Sequence, residues 1–145
     1  MLAIIGTLLG ALIGAATALG AQQMAAHDAG KRDKIQRRAA IRAELKDQIG
    51  SFLESAQTIE RMAGDSDQFD YATRNKASHD LWTQYQRLAL ICPAELSNPL
   101  DQLADLLNNT LWHGAPEGVQ VWEHVRDAKW RFREVAQREM QWIEE

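Results

Sequence analysis

Hydrophobic and polar positions divide the chain into an apolar N-terminal segment and a longer region with helical periodicity. No Asp, Glu, Lys or Arg occurs before Asp28, and residues 2–21 are mostly Leu, Ile, Ala and Gly. A helix rises about 1.5 Å per residue, so about twenty such residues cross a hydrocarbon core about 30 Å thick. The pattern predicts a transmembrane anchor over residues 1–26.

Two other interpretations of this segment stay open. Ala18, Leu19 and Gly20 match the small-residue cleavage site of a secretory signal peptide, although no basic residue precedes the apolar run. The glycine and alanine content also suits a buried or interfacial helix. An anchor is favoured because the run is long and because positive charges follow it.

Small residues recur at every fourth position of the predicted anchor, at Gly6, Gly10, Gly14 and Ala18. Residues four apart lie on one face of a helix, and a face of small side chains lets two helix backbones approach closely in lipid. The spacing therefore predicts that anchors from different copies of the chain associate. The segment has no ionisable stripe, so it does not indicate a pore.

Beyond Gly30, apolar residues fall three and four apart, which is typical of an amphipathic helix. This stripe comprises Ile35, Leu45, Ile49, Phe52, Ala56, Ile59 and Ala63. Gly, Ser and Pro signals then predict three further helices, from about Gln68 to Ile91, from Pro99, and from Pro116. The predicted fold class is all-α, with a single N-terminal transmembrane helix followed by a small antiparallel helical bundle over residues 47–145.

Tryptophan is abundant in this region. We expect Trp82, Trp112 and Trp122 to fill the bundle core, together with smaller apolar residues that include Ala72 and Val119. Trp130 and Trp142 fall off the main apolar stripe of the last helix. They are candidates for a partner-binding surface because exposed aromatic side chains anchor interfaces. The edge of the core and a membrane interface are the alternatives for these two residues.

Charge changes sign along the chain, although the net charge is only -4. Residues 27–46 form a predicted basic juxtamembrane helix, here called the basic collar. Its candidate contacts to anionic lipid are Lys31, Arg32, Lys34, Arg37, Arg38 and Arg42. Because basic residues flank the cytoplasmic side of membrane helices, the collar places the C-terminal region in the cytoplasm. Beyond Lys46, nine Lys and Arg face seventeen Asp and Glu, which argues against nonspecific nucleic-acid binding.

No catalytic or metal-binding pattern stands out. The four histidines lack metal-ligand spacing, and Cys92 is the only cysteine, so no internal disulfide forms. We therefore expect a non-enzymatic protein without a metal or cofactor.

Three segments carry a resemblance to known proteins: KRDKIQRRAAIRAEL, WTQYQRLALICPAELSNPLDQLADLL and WHGAPEGVQVWEHVR. With the apolar N-terminus, they resemble N-terminally membrane-anchored helical proteins of high-GC Gram-positive bacteria and their phages. The resemblance implies a single-pass layout and brings no site residues.

The leading hypothesis is a protein of the bacterial inner membrane that self-associates through its anchor. Its helical domain would then serve as a scaffold or regulatory module for a cytoplasmic protein partner. One alternative is a membrane-active effector that forms lesions or channels, as in phage lysis or defence. Another is an extracytoplasmic protein released by signal cleavage.

Overall fold

The computed structural model describes the backbone of residues 2–142 and the side chains of residues 32–141. Within that backbone it contains α1 (Leu2–Gly64), α2 (Tyr71–Ala89), α3 (Ala94–His113) and α4 (Val121–Trp142), with a short 3₁₀ helix at Ser66–Gln68. The described residues include no strand, and the all-α prediction is confirmed. The chain divides into two compact units, one ending at Ala40 and one beginning at Ile41.

The described backbone of the first unit belongs to α1, and the side chains of residues 32–40 are all exposed. Ile35, the first member of the amphipathic stripe, is 67% exposed and does not belong to the core. The next position of this helix face is the charged Arg38, so this part of the stripe stands free of the core, as the sequence indicates.

The core of the second unit is organised by a buried stripe on α1. Its members alternate at spacings of four and three residues and comprise Leu45, Ile49, Phe52, Ala56, Ile59 and Ala63. This heptad-like spacing keeps one narrow face of a helix against its neighbours. The stripe begins at Leu45, two residues before the bundle boundary expected from the sequence.

Helices α2, α3 and α4 supply the other side of this core. The rings of Phe52 on α1 and Phe132 on α4 lie 5.5 Å apart between centroids, and both side chains are fully buried. Leucines dominate α3, whose buried positions include Leu96, Leu100 and Leu103. The predicted helical bundle is therefore confirmed for the described residues of this unit.

Two polar pairs join α2 to α3. The Ser78 hydroxyl lies 2.8 Å from the Asn108 amide oxygen, and the Tyr85 hydroxyl donates to the Asp101 carboxylate at 2.8 Å. The hydrogen bond to Asp101, followed by burial, raises the pKa of Tyr85 above its ordinary value. These pairs add specific polar contacts between α2 and α3 to the apolar packing of the two helices.

Helix starts differ from the sequence expectation for local reasons. At α2, Asp70 caps the helix by accepting a hydrogen bond from the Thr73 backbone amide at 2.8 Å, so the helix begins at Tyr71 and leaves Ala72 exposed. That bond lowers the pKa of Asp70. At α3, the helix begins at Ala94 instead of Pro99, because complete burial of Leu96 favours an extra turn despite the proline inside it.

The start of α4 carries the largest correction. Gly118 has a φ of 78°, a left-handed conformation that glycine adopts without strain, and it separates Pro116 from the helix. The helix therefore begins at Val121, and Val119 is 39% exposed in the preceding loop. Trp122, which was also predicted to be buried, is 56% exposed.

The Tyr85–Asp101 contact predicts a specific pH dependence. In a Tyr71→Phe background, which leaves Tyr85 as the only tyrosine, we expect phenolate absorbance to titrate above the ordinary pKa of about 10. Because folding raises this pKa, the contact stabilises the fold below that pH, and its contribution is lost as the pH rises through the raised value. Asp101→Ala should lower the titration midpoint, whereas Glu95→Ala on the same helix should not. Equal midpoints in the background protein and its Asp101→Ala variant would contradict the assignment.

Candidate functional site

The basic collar is exposed where the structure describes its side chains. Arg32, Lys34, Arg37 and Arg38 are exposed, and Arg42 is half-buried at the edge of the second unit. Lys31 lies outside the residues with described side chains. The exposed members present positive charge on all sides of one helical segment, because they are spread over several directions around its axis.

The predicted anchor belongs to α1 by its backbone. The side chains of Gly6, Gly10, Gly14 and Ala18 lie outside the described residues, and so does their packing. Among the helices whose side chains are described, none is long and apolar enough to cross a membrane.

The five tryptophans divide differently from the expectation. Trp82 and Trp112 are half-buried against the core, where Trp82 meets Tyr85 edge-on at 5.1 Å between ring centroids. Trp130 is 64% exposed, which agrees with its position off the main apolar stripe and makes it available at the surface. Trp122 joins it at the surface, so its assignment to the core is wrong. The side chain of Trp142 lies outside the described residues.

Exposed aromatic and basic side chains alternate on one face of α4. Trp122, Arg126, Trp130 and Arg133 are spaced four, four and three residues apart, so they lie on the same side of the helix. We call these four residues the Trp/Arg face. Arg126 makes an exposed 3.1 Å ion pair with Asp127, a type of contact that contributes little to stability and leaves the guanidinium accessible.

A recess of about 280 Å³ lies at this face, where α4 meets α1. It is lined by all four members of the Trp/Arg face together with Glu60 and Lys129. Glu60 and Lys129 form a largely buried ion pair at 2.5 Å, so the lysine charge is already neutralised. The charge that the recess offers to a ligand therefore comes from Arg126 and Arg133.

Trp130 also borders a second recess, of about 440 Å³, between α3 and α4. The Trp130 indole therefore separates the two recesses and exposes apolar surface to each of them. Tryptophan and arginine in such a position are the residue types that dominate binding energy at protein interfaces.

A further cavity, of about 430 Å³, lies between α1 and α2. Its lining combines small hydroxyl residues with charged ones and includes Ser51, Ser55, Thr58, Thr73, Lys76 and Asp80. No histidine or cysteine is among the lining residues, so these hydroxyls have no histidine base beside them.

Other reactive groups do not assemble into a centre in the part of the chain with described side chains. No group of three or more His, Cys, Asp or Glu converges there. Cys92 is half-buried after α2, where burial and then the charge of Asp101 raise the pKa of its thiol. A raised pKa reduces the thiolate fraction and therefore the reactivity of the thiol.

The Trp/Arg face was only partly visible in the sequence. Trp130 was identified because it falls off the apolar stripe, but Trp122 was assigned to the core. The signal that identifies the whole face is the shared spacing of the two tryptophans with Arg126 and Arg133, because four residues of one face cannot be buried when two of them are arginines.

The chain matches no protein-family model, and neither a curated protein nor a solved structure matches it. The fold and its surfaces define the class: an all-α protein with a helical bundle that carries an exposed basic collar and an exposed Trp/Arg face.

Proposed function

We propose that this protein is a non-enzymatic, single-pass protein of the bacterial inner membrane that presents its helical bundle as a scaffold or regulatory module in the cytoplasm. The observation that carries the proposal is the exposed basic collar, which follows directly after an uncharged run. Four of its basic side chains stand in solvent, outside any core.

Electrostatics supports this arrangement of collar and membrane. Lys and Arg near the cytoplasmic leaflet each contribute roughly 1 kcal/mol of attraction to anionic lipid. Their positions after the apolar run orient a membrane helix with its N-terminal side outside and its C-terminal side in the cytoplasm. Lys31 and Arg42 extend the same charged segment at its two ends.

In this proposal the anchor also brings two copies of the chain together, in addition to attaching each copy to the membrane. The row formed by Gly6, Gly10, Gly14 and Ala18 has the spacing that allows close helix packing in lipid. Paired anchors would hold two bundles next to each other, which raises the effective concentration of any partner-binding surface. Trp130, with Trp142 as a further candidate, supplies that surface in this proposal.

The single cysteine makes the proposed orientation testable without a foreign tag. Cys92 lies in the bundle and is half-buried, so we expect it to react slowly with a maleimide. In spheroplasts treated with a membrane-impermeant maleimide, we expect Cys92 to label only after the membrane is permeabilised. Retention of the protein in carbonate-washed membranes should accompany this result.

A reciprocal variant controls that experiment. In a Cys92→Ser background, Leu2→Cys places the only thiol at the N-terminal end of the anchor, on the side proposed to lie outside, and should label in intact spheroplasts. Labelling of Cys92 in intact spheroplasts, or release of the protein from washed membranes, would contradict the proposal. An N-terminus cleaved after Gly20 would instead favour the secreted alternative.

Pairing through the anchor has its own test. The double variant Gly10→Ile, Gly14→Ile adds bulk to the small-residue face and should weaken dimerisation in micelles by about tenfold, the size expected for lost helix packing. Leu12→Ile, Leu19→Ile alters the anchor without adding bulk and should leave the dimer fraction unchanged. Analytical ultracentrifugation in density-matched detergent measures the dimer fraction of the unmodified chain and of both double variants. An equal dimer fraction in the glycine variant and the unmodified chain would contradict pairing through this face.

A further inference from the structure

One face of α1 stays exposed in the second unit, on the side of the helix away from its buried stripe. Ala43, Gly50 and Gln57 follow one another at intervals of seven residues on this face, and all three are exposed. A seven-residue interval returns to nearly the same direction around a helix, with a drift of about 20°. None of the three carries a charge, and we call them the neutral row of α1.

Charges of opposite sign flank the neutral row on its two sides. Lys46 lies three residues after Ala43 and Asp47 lies four residues after it, so the two side chains project to opposite sides of the row. Both are exposed, and neither has an ion-pair partner among the described side chains. The same order of charges occurs fourteen residues earlier, at the exposed Arg32 and Asp33. The charges of Lys46 and Asp47 are therefore available to another molecule.

Gly50 is a member of the row that packing within the chain does not explain. Glycine in a helix interior is less favourable than alanine, because its backbone loses more conformational freedom on folding. A Cβ atom at Gly50 would meet nothing within 4 Å beyond the adjoining backbone of α1, so alanine would fit there. Glycine instead leaves the helix backbone uncovered, which lets another backbone approach closely.

We infer that this face of α1 binds the same face of a second copy of the chain, with the two helices parallel. A twofold axis along two parallel helices brings the left side of one helix against the right side of the other. Lys46 of each copy then lies opposite Asp47 of the other copy, and two equivalent ion pairs flank the neutral row. The inference extends the proposed pairing of the anchors to the bundle, and it takes the parallel orientation from that proposal.

The other charges beside the row, up to Arg61, are compatible with this parallel pairing. Glu54 lies opposite Leu53 of the second copy, and the two copies of Glu54 lie on opposite sides of the twofold axis. Arg61 lies opposite the carboxylate of Glu60, which already pairs with Lys129. No level of the row from Ala43 to Arg61 therefore places like charges opposite each other.

An antiparallel second copy fits this face less well. A twofold axis perpendicular to the helices brings the same side of both helices together. With the two Gly50 residues in contact, Asp47 of one copy would lie opposite Glu54 of the other, and these like charges repel. Lys46 would meet Leu53 and would gain no ionic partner. The order of charges along the face therefore favours the parallel arrangement.

Disulfide crosslinking of the full chain in micelles of a neutral detergent tests the inference. In a Cys92→Ser background, Ala43→Cys, Gly50→Cys and Gln57→Cys each place one thiol on the neutral row. A disulfide requires two Cα atoms within about 7 Å, so each variant should form covalent dimers at least about tenfold faster than Gln86→Cys, a control on the exposed side of α2. Crosslinking at all three positions identifies the parallel register, because an antiparallel pair joins the first position only to the third.

An exchange of charges shows whether the flanking ion pairs hold the two copies together. In the Gln57→Cys protein, Lys46→Asp makes both flanks acidic at this level and should slow crosslinking by about threefold or more. The double exchange Lys46→Asp, Asp47→Lys restores opposite charges across the row and should return the rate to within about twofold of the parent. Arg87→Asp changes an exposed charge of α2 in the same way and should leave the rate unchanged. Circular dichroism establishes that these surface variants stay folded.

Three results would overturn the inference. The first is crosslinking on the neutral row no faster than at Gln86→Cys, as expected if the face binds a different partner or none. The second is crosslinking of Ala43→Cys only with Gln57→Cys, and the third is a double exchange that stays as slow as Lys46→Asp alone.

The pairing of the anchors is scored separately, by ultracentrifugation of the Gly10→Ile, Gly14→Ile protein. Anchor-dependent dimers without crosslinking on the neutral row would leave the anchor proposal standing and reject the inference. Crosslinking that follows the charge exchange, in a chain whose dimer fraction the anchor substitutions leave unchanged, would support the inference and reject pairing through the anchor.

Discussion

The apolar stripe of α1 is the constraint on which the rest of the structure depends. It runs from Leu45 to Ala63 with heptad-like spacing and brings Phe52 against Phe132 at the centre of the core. Burial of apolar surface is the dominant favourable term in folding, and a fully buried Phe contributes a large share of it. Toward the N-terminus the same helix face continues with Arg42 and Arg38, so the core ends where the charge begins. One helix thus carries both the core stripe and the basic collar.

The packing of α4 against the core also determines where the Trp/Arg face lies. With Val125, Phe132 and Ala136 buried in the core, the helix geometry places Trp122, Arg126, Trp130 and Arg133 beside the buried face, about 100° around the helix axis from it. The position of this face is therefore a result of core packing. The buried Glu60–Lys129 pair forms part of its recess and ties α4 to α1 beside it.

Much of this arrangement followed from the sequence, because periodicity reports which face of a helix is buried. The stripe on α1 and the leucine face of α3 were predicted, and Trp130 was correctly placed off the main apolar stripe of α4. Helix starts were less predictable, since they depend on local contacts such as the Asp70 cap and the conformation of Gly118. The turn at Gly118 explains the error at Val119, which lies in the loop before α4 and not on its apolar stripe. The polar pairs between α2 and α3 join residues far apart in the sequence, and no local pattern indicates them.

The most direct test of the central claim compares Phe52→Ala with Ile35→Ala in the full chain by urea unfolding of the bundle in neutral detergent. Phe52 is completely buried, so its truncation should lower the free energy of unfolding by about 3–5 kcal/mol. Ile35 is 67% exposed, and its truncation should change that free energy by less than about 0.5 kcal/mol. Similar losses in the two variants, or a negligible loss in Phe52→Ala, would contradict a core that begins at Leu45.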